Sequence, residues 1–319
     1  MNLTGLHHVT AVTAKIQENL KFYTQVLGLR LVKKSVNQDD VSAYHLFYAD
    51  KLGTPGTDLT FFDWPQIGPN QEGTDSILGT AFRVSGCDAL EFWSERLSSH
   101  GITPLLFDSP ADRELIAFED PEGKQLFLVN DQDAPSEGEI WSTPEIPSEF
   151  AIKGIYSTII STPAADELIP IFSDVLNFQE LKRGTWIDGH TPVVVFQTLP
   201  EGGPGTEIWL LLEPDKPRAR LGAGGVHHVA FRVDDLETQM EWQKRLRNFR
   251  LHVTQSIDRF WFRSIYFRVS EGILFEIATD GPGFDIDENP ESLGEKLVLP
   301  PFLEDQRDEI EANLIPIGD

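Results

Sequence analysis

The chain has 319 residues, a formal charge of -25, and apolar and charged fractions of 40% and 24%. That length suits two domains, no stretch approaches the roughly 20 continuous apolar residues of a membrane span, and the acidity repels phosphate backbones and anionic lipid surfaces. Nucleic-acid and membrane partners are therefore not expected. The opening residues MNLTGLHHVTAVTA have neither the basic nor the uninterrupted apolar region of a secretory signal, and Cys87, the only cysteine, has no partner for an internal disulfide; a cytoplasmic setting is expected.

In chain order the elements repeat. An apolar strand, LHHVTAVT, is followed by a helix over ENLKFYTQVLG and by strands RLVKKSV, AYHLFYA and TDLTFFDW. The same order recurs from LGTAFRV through DALEFWSERLSSHG to GKQLFLVND, from GIYSTIIS through ADELIPIFSDVLNF to TEIWLLLEPD, and from VHHVAFRV through LETQMEWQKRLRNF to GILFEIATD. The predicted fold is α+β: four βαβββ modules forming two domains of curved mixed sheets around a metal-binding cleft. DAPSEGEIWSTPEIPSE has a linker's composition, which sets the expected domains at 1–132 and 150–281. Residues 282–319 form a tail in which Pro-Pro starts a short packing helix.

The chemistry concentrates in two histidine doublets, His7-His8 and His227-His228, which open the first strands of modules one and four in nearly the same words. Eight scattered histidines would rarely give even one doublet. Modules two and three carry Thr80-Ala81 and Tyr156-Ser157 at the corresponding places, so folding does not require histidine there. The last strand of module four supplies a third ligand, Glu276, a carboxylate inside an apolar run whose burial a cation would compensate. The corresponding residues elsewhere are read as Phe61, Leu128 and Leu210, so one complete ligand set is expected. Two imidazoles and a carboxylate leave metal positions open for an organic substrate and dioxygen, which points to Fe(II); the same donors accept Mn(II), Zn(II), Ni(II) or Co(II). His45, His100, His190 and His252 are isolated and are assigned to surface or packing. GGPG at 202–205 lacks the Lys-Ser/Thr of a phosphate cradle, and no Gly-x-Ser-x-Gly elbow is present.

GLHHVT, GVHHVAF, RFWFRSIYFR and LFEIATD resemble the vicinal oxygen chelate (glyoxalase/bleomycin resistance/dioxygenase) superfamily, and within it the two-domain hydroquinone-type ring-cleaving dioxygenases. The resemblance covers essentially the whole chain. It implies an extradiol-type enzyme with iron held between modules one and four by His8, His228 and Glu276, and a substrate pocket lined by His7, Thr10, His227, Arg259 and Tyr266. Strand alternation independently puts Thr10 on the side of His8. An aromatic diol and O2 are the expected substrates, His227 the acid/base, Arg259 the holder of a phenolate or oxyanion, and Tyr266 a residue that orients the ring. Arg259 could instead form a surface salt bridge with Asp258 or a neighbouring carboxylate.

Two rivals share the fold. A glyoxalase-like isomerase or lyase would use a non-redox metal and a second carboxylate, which Phe61 does not supply. A drug-sequestering binding protein would need no metal ligands. Open sheet edges make a homodimer the expected assembly.

Overall fold

The computed structural model describes residues 1–108, 110 and 112–318. Each module is a strand, a helix and three strands. Module one contains β1 (Leu6–Thr13), α1 (Ile16–Lys21), β2 (Arg30–Asn37), β3 (Asp40–Ala49) and β4 (Asp58–Asp63). Module two contains β5 (Ser76–Val84), α2 (Gly86–Ser99), β6 (Leu105–Asp108), β7 (Glu114–Glu119) and β8 (Gln125–Asn130). Module three contains β9 (Ile155–Thr162), α3 (Ala165–Pro170), β10 (Gln179–Thr185), β11 (Pro192–Gln197) and β12 (Glu207–Leu212). Module four contains β13 (Val226–Val233), α4 (Leu236–Asn248), β14 (Ile257–Asp258), β15 (Arg263–Arg268) and β16 (Leu274–Thr279). The predicted helices of modules one and three each pass into a wide π turn, Phe22–Val26 and Ile171–Val175. Among the described residues no helix is long and apolar enough to cross a membrane.

The modules do not pair in sequence order. One mixed sheet runs β14-β15-β16-β13-β1-β4-β3-β2 and joins modules four and one; the other runs β10-β11-β12-β9-β5-β8-β7-β6 and joins three and two. Both sheets therefore span the expected 1–132 and 150–281 division. At the centre of each sheet two first strands meet antiparallel, β1 with β13 and β5 with β9, while each first strand pairs parallel with the last strand of its own module. This topology alone brings residues 7–10 beside residues 226–230.

One face of each sheet packs with the helices into a continuous core; Phe172 lies 5.0 Å from Phe196 of one sheet and 5.9 Å from Phe275 of the other. The other faces differ. That of modules two and three carries an apolar cluster of Phe127, Tyr156 and Trp209 beside an open space of about 730 Å³, and that of modules one and four keeps a smaller cavity beside Phe47, Trp261 and Phe262. The expected linker is a packed strap: Ile146 is buried and Trp141 stacks under Arg30.

The tail closes the cavity from behind. Pro301–Gln306 forms a 3-10 turn leading into α5 (Arg307–Asn313), as the Pro-Pro signal predicts. Upstream, fully buried Lys33 donates to the Phe284 carbonyl, to Asp287 at 2.8 Å and to Glu288, and lies 5.2 Å from the Trp261 ring centroid. Gly53 permits this approach, since a Cβ there would stand 2.3 Å from the Phe284 ring. Removing one partner of such a buried group strands the others. Lys33→Met is expected to lower stability by about 3 kcal/mol in urea titrations and to expose residues 284–299 to protease. An unchanged midpoint would show that Lys33 does not anchor the tail.

Candidate metal centre

Leu6 and Val9 both face the helix-packed core, and so do Val226 and Val229. Strict alternation allows one residue turned the other way between such a pair; here there are two, because the β1–β13 register slips at His7 and again at His227. Each doublet is thus a β-bulge, which re-aims a side chain at the cost of one ladder position. Both histidines of each doublet leave the core face, and they touch through their Nδ1 atoms, at 2.9 Å for His7–His8 and 2.7 Å for His227–His228.

The tautomers follow from the far end of the first chain. His7 Nε2 lies 3.2 Å from the Thr279 carbonyl, which can only accept, so Nε2 carries hydrogen and Nδ1 accepts from His8 Nδ1–H. His8 Nε2 is left as a bare lone pair. His227 Nδ1 likewise lies 2.7 Å from His228 Nδ1, which leaves His228 Nε2 as the nitrogen turned toward Glu276. Burial, then the neighbouring imidazole, pushes His7 and His227 each down to about 3, so both are neutral; His228 is also lowered, first by burial.

Glu276 completes the set from β16, where it pairs with Ala230 on one side and Tyr266 on the other. Ser264 donates to Oε1. Oε2 is buried without a hydrogen-bond donor among the described residues, 3.3 Å from His8 Nε2 and 3.0 Å from His228 Nε2; the two nitrogens are 3.3 Å apart. Three acceptors therefore converge in a dry interior. Metal–ligand bonds of about 2.1 Å meeting at about 90–110° separate donor atoms by about 3.0–3.4 Å, which is the observed spacing. The three residues fit a divalent ion, and they are the one potential metal-holding cluster among the described residues.

The cavity on this ligand triad is lined by His8, His228, His45, Phe47, Phe62, Arg259, Trp261, Phe262 and Tyr266, with Asn37–Asp39 at its mouth, and leaves about 40 Å³. That is space for about three waters. Arg259 makes a bidentate pair with Asp39, at 3.1 and 2.8 Å, and not with Asp258, which Arg263 takes. The guanidinium also lies 5.5 Å from the Tyr266 ring centroid. Burial, then Glu276, raises the Tyr266 phenol far above its usual value, so it stays protonated. Thr10 and Thr60 stand behind the lining: the Thr10 hydroxyl lies 2.8 Å from that of Thr60, which in turn lies 2.9 Å from His45 Nε2.

Of the expected pocket residues the structure brings Arg259 and Tyr266 to this cavity and sets His7, Thr10 and His227 behind its lining, with His227 bordering a separate space of about 340 Å³ beside Asn70, Arg268 and Glu271. His45, expected at the surface or in packing, does line the cavity on the triad. By bulge and register the counterparts of the doublets are Leu78-Gly79, not Thr80-Ala81, and Tyr156-Ser157. The counterparts of Glu276 are Thr60, Phe127 and Trp209, one residue before those expected, because Thr10, Ala81 and Ile159 pair as Ala230 does. Ser264 and Thr60 carry no signal of their own; they become legible only once the register is known.

Loss of a partner that orients a ligating imidazole typically costs ten- to a hundredfold in metal affinity. His7→Ala and His227→Ala are each expected to weaken Fe(II) or Zn(II) binding by about that factor in anaerobic titrations. Undiminished affinity with lost turnover would return His227 to an acid/base role.

The profile of the Glyoxalase/Bleomycin resistance protein/Dioxygenase superfamily matches residues 5–126 and 154–283. MhqA of Bacillus subtilis (strain 168), provisionally named a ring-cleaving dioxygenase, is 43% identical over 317 residues, covering 99% of this chain and 100% of its own. A chlorohydroquinone/hydroquinone 1,2-dioxygenase of Sphingobium indicum is 31% identical over 313 residues, covering 96% of this chain and 94% of its own. A solved structure of a provisionally named dioxygenase from Bacillus subtilis matches with a TM-score of 0.91 at 36% identity, over 99% of this chain and 98% of that one. Glyoxalase I from Zea mays shares the fold, with a TM-score of 0.62 at 13% identity over 86% and 92% of the two chains. With four βαβββ modules, paired central bulges and matches along nearly its whole length, the chain belongs to the glyoxalase/bleomycin resistance protein/dioxygenase superfamily.

Proposed function

We propose that this chain is an Fe(II)-dependent, extradiol-type ring-cleaving dioxygenase acting on a hydroquinone or catechol-like diol. The observation that carries the reading is the convergence of His8 Nε2, His228 Nε2 and Glu276 Oε2 on one buried point, open on one side to an aromatic-lined cavity. Two imidazoles and one carboxylate on one side of a metal are the donor set of Fe(II) oxygenases. The names of the relatives in Bacillus subtilis and Sphingobium indicum support the same reaction class. When bound, ferrous iron supplies the one-electron chemistry that lets dioxygen react with a closed-shell ring.

The protein's part is to admit, orient and charge-balance the diol. Phe47, Phe62, Trp261 and Phe262 present an apolar slot for a ring. At the mouth of this slot Gln38 and Asp39 hold Arg259 through its carbonyl and guanidinium. Arg259 then exchanges a carboxylate for a phenolate, a substitution of one charge-assisted pair by another. Tyr266, kept protonated and stacked under Arg259, is a donor toward the same oxygen. The isomerase reading lacks its second carboxylate, since Thr60 stands where Glu276 stands in the fourth module.

Anaerobically Fe(II)-loaded protein is expected to consume oxygen with a hydroquinone or catechol, and His8→Ala and Glu276→Ala to abolish the uptake. No uptake, together with isomerisation of a hemithioacetal after Ni(II) or Zn(II) loading, would replace this reading with the glyoxalase one. Arg259→Met is expected to raise KM by about tenfold or more, the worth of a lost charge-assisted hydrogen bond, with iron content unchanged. An unaltered KM would remove Arg259 from substrate binding.

A further inference from the structure

We propose that His45 is the acid/base of this site and that Thr60 is the residue that positions it, an assignment that rests on the ring-cleavage reading of the same cavity. β3 and β15 flank the central β13–β1 pair at equal distance, so His45 on one and Tyr266 on the other look across the slot at each other, with His8 and His228 between them. The His45 ring is packed against Phe47 and Phe62, centroids 3.9 and 4.5 Å away, which fixes its plane as a wall of the slot.

His45 Nε2 lies 2.9 Å from Thr60 Oγ1, which in turn lies 2.8 Å from Thr10 Oγ1. The Thr60 hydroxyl can accept from Nε2–H while donating to Thr10, so the imidazole keeps a lone pair on Nδ1. That atom has no hydrogen-bonding partner among the described residues. The other imidazoles are committed. His8 and His228 turn Nε2 to the metal point, and His7 and His227 use Nδ1 to hold them. The remaining ionisable groups on the cavity are Asp39 and Arg259, paired with each other, and the protonated Tyr266.

The proton step is simple to balance. His45 Nδ1 takes the proton of a substrate hydroxyl, leaving a phenolate beside Arg259 and an imidazolium whose Nε2–H stays on Thr60. The same proton is returned to the ring-opened product, and His45 ends neutral. Thr60 need not change protonation state at any point.

The test uses Fe(II)-loaded protein without oxygen, titrated with 2-nitrohydroquinone and 4-nitrocatechol, whose absorbance reports ionisation. Wild type is expected to bind the probe ionised at a pH where the free probe is protonated. His45→Gln is expected to bind iron and probe with wild-type stoichiometry but leave the probe protonated, and to lose about a hundredfold or more in kcat with little change in KM. Thr60→Val is expected to lose less, and added imidazole to restore part of the His45→Gln loss. An ionised probe on His45→Gln, with kcat within threefold of wild type, would overturn the assignment. Absence of oxygen uptake by wild type with every diol would instead overturn the ring-cleavage reading, and probe ionisation would still decide the role of His45.

Discussion

Glu276 is wholly buried, and the oxygen it turns toward His8 and His228 lies 3.3 and 3.0 Å from their Nε2 atoms. Folded proteins rarely leave such a group uncompensated, because the desolvation penalty is several kcal/mol for a charge. Much of the local structure serves this arrangement. Two bulges turn the doublets off the core face, His7 and His227 set the tautomers, Ser264 takes the second carboxylate oxygen, and the Thr279 carbonyl anchors the chain of imidazoles. A bound cation is the one partner that satisfies all three acceptors at once.

The sheet topology explains how a repeated module yields a single site. Two sheets with the same strand plan share one core, yet among the described residues only one gathers a potential metal-holding cluster. Where modules one and four place His8, His228 and Glu276, modules three and two place Ser157, Gly79 and Phe127, and Phe127 packs with Trp209 and Tyr156 into an apolar cluster. The same plan thus serves as scaffold in one half and as chemistry in the other. Within the functional half the symmetry is again broken, since Thr60 faces Glu276 across the central strands and orients His45 instead of binding metal.

The α+β modules are legible in the sequence because each repeats a period-2 strand, a period-3.6 helix and Gly/Pro turns. His8, His228 and Glu276 are legible because repetition exposes them: four modules share a plan and only two carry histidine doublets. What the sequence hides is pairing. Nothing local says that module one joins module four, nor which residue of a last strand lies level with the doublet of its first, which is why Phe61 stands in for Thr60 in a reading by alternation alone. The same limit applies to His7: a doublet does not say which nitrogen faces what, and for His7 that follows from the Thr279 carbonyl on a strand 272 residues away. His45 is masked for the opposite reason, since one histidine in an apolar strand looks like packing until Phe47 and Phe62 are seen to line a cavity.

The most direct measurement is anomalous diffraction at the iron absorption edge from crystals soaked with Fe(II) under anaerobic conditions. The account predicts one peak between His8 Nε2, His228 Nε2 and Glu276 Oε2. A peak elsewhere, or none with these three side chains ordered as described, would contradict it.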